Sequence, residues 1–412
     1  MASFSIPLTG LNANQTELNT IANNISNLGT AGFKAQHTSF EDLFYQQAGS
    51  SGSGDPVLAG QGVQVAANAT DFTSGSIDAT AGSPSDVALK GNGFFVVNNG
   101  GTQEYTRAGN FQTDQNGNLT TTDGLQVMGY PAANGVVNTN APISALRIPV
   151  GQTEQANPTT QFSLGANLDA SAAVGTTVPA QVTVYDSLGQ SHIANVNFTK
   201  TAANQWGYNI SLPAADYTGA SANTTGTLTF NSNGQLTLPA ANVAGISFAG
   251  LADGASNLNF SWDLYDANGN STVTQAASTS TVASTTQNGY SSGTYQGFSV
   301  GSDGTISVQF SNNQTQAVGQ LAIAMVNNQQ GLARVGGDNF SATLASGLAT
   351  VGVAGAGGRG TIEGGALELS NVNISNEFSN LIVAQSAYEA NAKSVTTFDT
   401  VTQATINMVP QA

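Results

Sequence analysis

Among the 412 residues stand only two histidines, His37 and His192, and no cysteine. The missing thiols remove disulfides, thiolate catalysis and cysteine-ligated zinc together. The two histidines lie far apart and in different predicted modules, so each is read as an ordinary structural or surface residue. A Ser-His-Asp arrangement through either is left open, although no Gly-x-Ser-x-Gly elbow in a strand–helix setting accompanies it. The runs Asp114-Gln115-Asn116-Gly117-Asn118 and Asp266-Ala267-Asn268-Gly269-Asn270 begin like a calcium loop. Such a loop needs a glutamate at its twelfth position and flanking helices, whereas Leu125 and Ala277 stand there. Both runs are read as hairpin turns. Gly355-Ala356-Gly357-Gly358-Arg359-Gly360 lacks the Lys-Ser/Thr pair of a phosphate loop and is read as a flexible connection to the last helix. No catalytic, cofactor-binding or metal-ligating residue is assigned.

The elements around these residues point instead to assembly. Hydrophobic content is an ordinary 40%, but only 8% of residues are charged, against about 25% in typical soluble domains. So few charges protect a lone protein weakly against self-association. The balance of 24 acids to 8 bases gives a net charge of −16. That surface repels nucleic acid and anionic lipid, so neither is expected as a partner. The first Lys or Arg is Lys34, which leaves no basic n-region for a cleavable signal peptide. No apolar run reaches the roughly 18 residues that span a bilayer, and no membrane insertion is expected.

Near the N-terminus Leu11, Leu18, Ile21, Ile25 and Leu28 recur at helical or coiled-coil spacing. Pro7 suits a first turn and Gly29 a stop. At the other end Ile374, Phe378, Leu381, Tyr388, Val395 and Val401 form a similar stripe, with Gln385 and Ala392 between them and Phe398 where it drifts. Asn373 is the expected N-cap there, with Glu377 in the first turn. Spacing alone also fits surface helices of one globular core. The fillers Asn12, Asn14, Thr16, Asn19, Thr20, Asn23, Asn24, Ser26 and Asn27 are mediocre helix formers, so the first helix needs a partner.

Between the ends the pattern is β-type. Short runs at 93–97, 181–185, 227–230, 258–264 and 305–310 are separated by turn pairs such as Asn116-Gly117, Asn233-Gly234 and Asp303-Gly304. The stretches 151–160 and 272–288 read as the two strands of a linker into and out of an inserted module.

Leu11-Asn12-Ala13, Ile21-Ala22-Asn23-Asn24-Ile25-Ser26-Asn27 and Thr30-Ala31-Gly32-Phe33-Lys34 resemble the opening signature of the rod and hook axial proteins of the bacterial flagellum. Gly365-Ala366-Leu367-Glu368-Leu369-Ser370-Asn371, Leu381-Ile382-Val383-Ala384-Gln385 and Tyr388-Glu389-Ala390-Asn391-Ala392-Lys393 resemble its closing signature. Gly91-Asn92-Gly93-Phe94, Tyr105-Thr106-Arg107-Ala108-Gly109-Asn110 and Gly129-Tyr130-Pro131 resemble the β-domain shared by hook and distal rod proteins, and Thr183-Val184-Tyr185-Asp186-Ser187-Leu188-Gly189 the outer domain of hook proteins. Ser386 departs from the family, which usually has a basic residue there.

The resemblance implies an α+β, multidomain chain with coiled-coil-like paired terminal helices and two β-rich domains, the outer inserted in the middle one. The expected division is an inner-tube domain at 1–30 and 370–412, a connecting segment at 31–70 and 363–369, a middle β-domain at 71–145 and 290–362, and an outer β-domain at 146–289. It further implies a helical homopolymer at the cell exterior that carries torque, exported by the flagellar type III apparatus without a cleavable signal. Its partners would be the distal rod protein, hook cap and hook–filament junction protein, with no cofactor and no enzyme activity. The stripes above would pack between subunits, and Ala22, Asn23, Asn24, Gly32, Phe33, Lys34, Ser370, Asn371 and Asn391 would carry the signature. A distal rod protein of the same family and a secreted β-rich adhesin or carbohydrate-active enzyme remain the alternative readings.

Overall fold

The computed structural model describes residues 5–53, 55–80 and 82–408. Residues 1–4 and 409–412 of the expected inner-tube domain lie outside the described residues. The fold is α+β, with one long helix near each end and strands between them. Two compact units divide the chain. The first comprises Met1–Val150, Gly297–Val308 and Thr315–Ala412, and the second Gly151–Gln296 with Gln309–Gln314.

In the first unit, helix α1 (Ser5–Ser26) begins around Pro7 and gives way to turns after Ser26. Several of its polar fillers bond within the helix instead of competing with it: the Thr16, Thr20 and Ser26 hydroxyls donate to the carbonyls of Asn12, Thr16 and Ala22. Helix α2 (Ile374–Met408) has the expected N-cap. The Asn373 side-chain oxygen accepts the Ser375 and Asn376 amides at 3.0 and 3.2 Å. The same serine and threonine back-bonding recurs along α2, from Ser379 to Thr405.

The β part of this unit has a sheet in which Phe94–Asn99 pairs with Thr102–Thr106, Gln126–Ala133 and Ile323–Met325. Phe94, Val96, Tyr105, Tyr130, Ala324 and Phe340 make its core. Phe72, Phe94 and Phe340 close into an aromatic trio with centroids 5.4–5.7 Å apart. The hairpin of Gln36–Asp42 with Val63–Thr70 leads from α1 toward this sheet.

The second unit packs two sheets face to face. One is an antiparallel meander of Thr177–Tyr185, Ser191–Ala202, Gln205–Ser211, Thr225–Phe230 and Leu236–Leu238. The other is built around Gln161–Asp169 and Leu258–Asp263. Strict alternation along Gln161–Asp169 and Ser191–Ala202 turns every second side chain inward. Trp262 sits at the centre, stacked on Phe162 at 5.9 Å and edge-on to Tyr208 at 5.2 Å.

Residues 272–288 are not merely a linker. They supply Val273–Ala276 and Thr281–Gln287, both paired with Gln161–Asp169. Their threonines and alanines fit an exposed edge as well as they fit a connector, so composition alone did not separate the two. The glycine-rich run before α2 is also not loose: Gly355 N donates to Gly360 O, and Arg359 reaches the carbonyls of Ile323, Thr350 and Ala356.

Candidate functional site

The terminal helices are partners within one chain. Gly10 lies against Asn391, where an added Cβ would come 2.9 Å from the amide nitrogen. Asn24 donates to Glu377 Oε1 at 3.3 Å. Moving up one helix thus means moving down the other, so α1 and α2 run antiparallel. The face of α2 turned inward is Glu377, Leu381, Ala384, Tyr388, Asn391, Val395 and Phe398, an alternation of four and three residues that suits a coiled-coil seam. Opposite it α1 presents Gly10, Ala13, Glu17, Thr20, Ile21 and Asn24. Small and polar residues let the axes approach closely, and the inward turn costs Glu17 solvation, which raises its pKa.

The predicted apolar stripe and this seam coincide only in part. Ile21 is buried, and Leu11, Leu18, Ile25, Leu381, Tyr388, Val395 and Phe398 are half-buried. Leu28, Ile374, Phe378, Gln385 and Val401 face solvent. Beside them Ile382 and Val383, outside the predicted stripe, are 64% and 69% exposed.

The signature residues gather at the root of the helices. Asn24 clasps the backbone of Gln36 in both directions, accepting its amide at 3.0 Å and donating to its carbonyl at 2.8 Å. Asn371 does the same between segments, accepting from Ala35 N at 2.8 Å and donating to Asp71 O at 2.9 Å. Gly32 has φ +71° and donates its amide to Glu368 O at 2.7 Å. A Cβ there would fall 2.5 Å from the Arg107 carbonyl carbon, so only glycine fits. Phe33 lies under the Arg334 guanidinium at 5.4 Å. Ser370 Oγ accepts the Val372 amide, while Ala22 and Asn23 remain exposed.

At the centre is a buried charge cluster. Glu368 Oε1 takes the Lys34 ammonium at 2.7 Å and the Gly75 amide at 3.0 Å. Its Oε2 takes Arg107 Nη1 at 3.3 Å. Lys34 also donates to Thr73 O, and Arg107 to Leu89 O. Burial pulls the pKa of Lys34 and of Arg107 below its usual range, and Glu368 only partly offsets this. The cluster pins the segment after α1, the segment before α2 and the sheet in one register. Sequence reasoning singled out Lys34 alone. The available signal was three isolated charges inside otherwise uncharged runs.

The remaining chemical candidates resolve into structure. His37 is exposed on its strand. Asp114 and Asp266 each tie off their own turn, accepting the amides two and four residues on. Gly297-Phe298-Ser299-Val300-Gly301 spells the hydrolase elbow, but it runs from strand Gly293–Val300 toward strand Thr305–Phe310 with no helix after it.

His192 is more than an isolated histidine: Nε2 lies 3.0 Å from Asp186 and Nδ1 3.1 Å from Asp216. Asp186, His192 and Asp253 place ligand atoms within 4.8 Å of one another, a donor set compatible with a cation. Both ring nitrogens already face carboxylates, however, which suits an imidazolium better than a metal ligand. Desolvation lowers the His192 pKa, and Asp186 and Asp216 outweigh it to leave a net rise. Burial raises Asp186, and hydrogen bonds from His192 and from the Gln190 and Leu188 amides help to outweigh it and leave a net fall.

A raised histidine contributes stability that is complete below its unfolded pKa of about 6.5. That contribution is lost as pH rises through the folded value. A lowered aspartate contributes above about pH 4 and loses its share as pH falls. The second unit should therefore be most stable between these limits and weaken toward alkaline pH. His192→Gln should remove the alkaline slope and cost about 1.5–3 kcal/mol at pH 6. Both tryptophans lie in this unit, so urea melts followed by their fluorescence across pH 5–9 read it directly. An unchanged alkaline slope in the variant would rule the clamp out.

Comparison with known proteins agrees with this architecture. Residues 6–34 match the family described as flagella basal body rod protein, 363–408 the flagellar basal body rod FlgEFG protein C-terminal family, and 155–290 the flagellar basal body protein FlaE D2 domain. The flagellar hook protein FlgE of Escherichia coli (strain K12) is 37% identical over 98% of this chain and 100% of its own length. That of Treponema pallidum (strain Nichols) is 30% identical over 99% of both. The crystal structure of Helicobacter pylori flagellar hook protein FlgE2 aligns with a TM-score of 0.53 over 72% of this chain and 100% of that one, at 14% identity, and bears on the fold alone. With full-length identity and both terminal segments accounted for, the chain belongs to the flagellar hook protein FlgE family.

Proposed function

We propose that this chain polymerises with itself into the flagellar hook, a flexible helical tube that carries torque from the rod to the filament. One observation carries the reading. The two terminal helices pair through one face each and leave Phe378, Ile382 and Val383 in solvent. Apolar side chains that a free subunit leaves open are suited to contacts with neighbours.

In this reading residues 1–30 and 370–412 form the inner tube, 71–145 with 290–362 the middle shell, and 146–289 the outer shell. Segments 31–70 and 363–369 connect them. The apolar stripe residues Leu11, Leu18, Ile25, Leu28, Ile374, Phe378 and Val401 pack between subunits. The tube stands outside the cell, and its ends meet the distal rod protein and the hook–filament junction protein. A hook cap guides growth, and the flagellar export apparatus delivers the subunit. The role is structural rather than enzymatic. No helix among the described residues is long and apolar enough to cross a membrane.

Seeded growth tests this directly. Purified subunit added to isolated hook fragments should elongate them into curved tubes visible by electron microscopy. Subunit that stays monomeric beside competent seeds at high concentration would refute the reading, and short straight tubes would favour a distal rod role.

A further inference from the structure

Between strands Asn339–Ser341 and Thr350–Gly352 runs a loop whose backbone is tied down at Thr343, Ala345, Ser346 and Gly347. The Thr343 hydroxyl donates to Gly331 O and accepts the Ala345 and Ser346 amides at 3.1 and 3.3 Å. Ser346 Oγ accepts the Thr343 amide at 2.8 Å and lies 3.0 Å from the carbonyls of Thr343 and Gly347. From outside the loop, Asn328 donates its side-chain amide to Ala345 O at 3.1 Å and its backbone amide to Ser346 O at 3.2 Å. The small polar Ser346 is consequently only 1% exposed.

The large side chains on either side of it are treated in the opposite way. Leu344 is 104% exposed and Leu348 90%, the highest values among the exposed large hydrophobics apart from Phe44. A floppy loop could tuck its leucines down. This one buries its serine and holds two leucines out.

We propose that the Leu344–Leu348 loop is a contact between copies of this chain in the polymer. The inference rests on the self-assembly reading above and adds a specific surface to it. Two arguments select a second copy as the occupant. The first is entropic: the loop's hydrogen bonds have already ordered it, so binding loses little further freedom. A repeating lattice of identical subunits can use such a preset knob at every position.

The second argument is electrostatic. Every copy has a net charge of −16, so copies approach most easily where neither presents charge. Residues 339–358 contain no charged side chain at all. A basic partner would find no acid on this loop to pair with, whereas a like-charged copy finds nothing to repel it.

The absence of native cysteine permits a clean test. A Leu344→Cys subunit, labelled with a maleimide dye, should react at least about tenfold more slowly in assembled tubes than as monomer. A Leu344→Asp, Leu348→Asp double variant should keep the monomer's melting curve, because neither side chain packs on anything in the free subunit. Its critical concentration for seeded growth should rise by at least about tenfold, as expected for loss of two apolar burials. Leu344→Ala with Leu348→Ala should shift it in the same direction by less. Equal labelling of tubes and monomers would overturn the proposal, as would growth of the aspartate variant at the wild-type critical concentration. Failure of wild-type subunits to grow on seeds would instead count against self-assembly itself.

Discussion

Replacing Glu368 with alanine should unfold the first unit under conditions where the wild type is folded, and leave the second unit untouched. The carboxylate is 1% exposed and faces two buried cations, the Lys34 ammonium at 2.7 Å and the Arg107 guanidinium at 3.3 Å. Removing it leaves two like charges with no counter-ion and the Gly75 amide without its acceptor. Breaking a buried ion pair from one side costs about 3–5 kcal/mol, a large share of the 5–15 kcal/mol typical of a domain. Glu368→Gln should cost less, since it keeps an acceptor. Lys34→Met should cost least, since Arg107 and Glu368 still neutralise each other.

The two units supply separate signals for this measurement. Trp206 and Trp262 both lie in the second unit, so tryptophan emission reports that unit while far-ultraviolet circular dichroism follows both. In urea, the dichroism transition that tryptophan does not share should move to lower denaturant in the order K34M, E368Q, E368A. A loss below 1 kcal/mol for E368A, or a shift seen equally by tryptophan, would contradict the clasp. Pinning three distant segments by charge rather than by apolar packing makes the root intolerant of register slips. A lever that transmits force from helices to β-domain has use for that property.

What could be read from the sequence divides along a physical line. Helix existence was legible from periodicity, and so was Asn373 as a cap, because those signals are local. The alternation that builds the second unit's sandwich was legible at 181–185 and 258–264 for the same reason. The seam between α1 and α2 was legible only in part. Ile21, Leu381, Tyr388, Val395 and Phe398 belong both to it and to the apolar stripe, whereas Gly10, Ala13, Thr20, Asn24, Ala384 and Asn391 are small or polar and leave no trace in a hydrophobic pattern.

The apolar stripe was assigned to packing between subunits, and in the single chain Leu28, Ile374, Phe378, Gln385 and Val401 of it face solvent. Long-range charge is the other blind spot. Nothing in the local sequence ties Lys34 to Glu368 or to Arg107; only the fold brings them together. The His192 clamp was missed likewise, since Asp186, Asp216 and Asp253 come from three separate turns.

That division changes which substitution best tests assembly. Leu18 and Leu381 are half-buried within the subunit, so an aspartate at either would disturb the α1–α2 pair as well as any neighbour. Phe378 and Ile382 are 49% and 64% exposed, one turn apart on the outer side of α2. In the free subunit Phe378→Asp and Ile382→Asp place a hydrated charge where water already stands. Each should change monomer stability by no more than about 0.5 kcal/mol, as surface substitutions do. In a tube whose helices pack on those faces, the charge must be desolvated or the contact abandoned. Either outcome costs several kcal/mol per subunit, and each 1.4 kcal/mol is tenfold in concentration. The critical concentration should therefore rise by about a hundredfold or more for the single variants, enough to abolish tubes at ordinary protein levels. Repulsion among acidic subunits adds to this, so high salt should restore only part of the loss. Sedimentation of polymer across a concentration series, with a monomer melt beside it, decides the matter. A folded Ile382→Asp subunit that forms tubes at the wild-type concentration would show that the outer face of α2 is not an assembly surface.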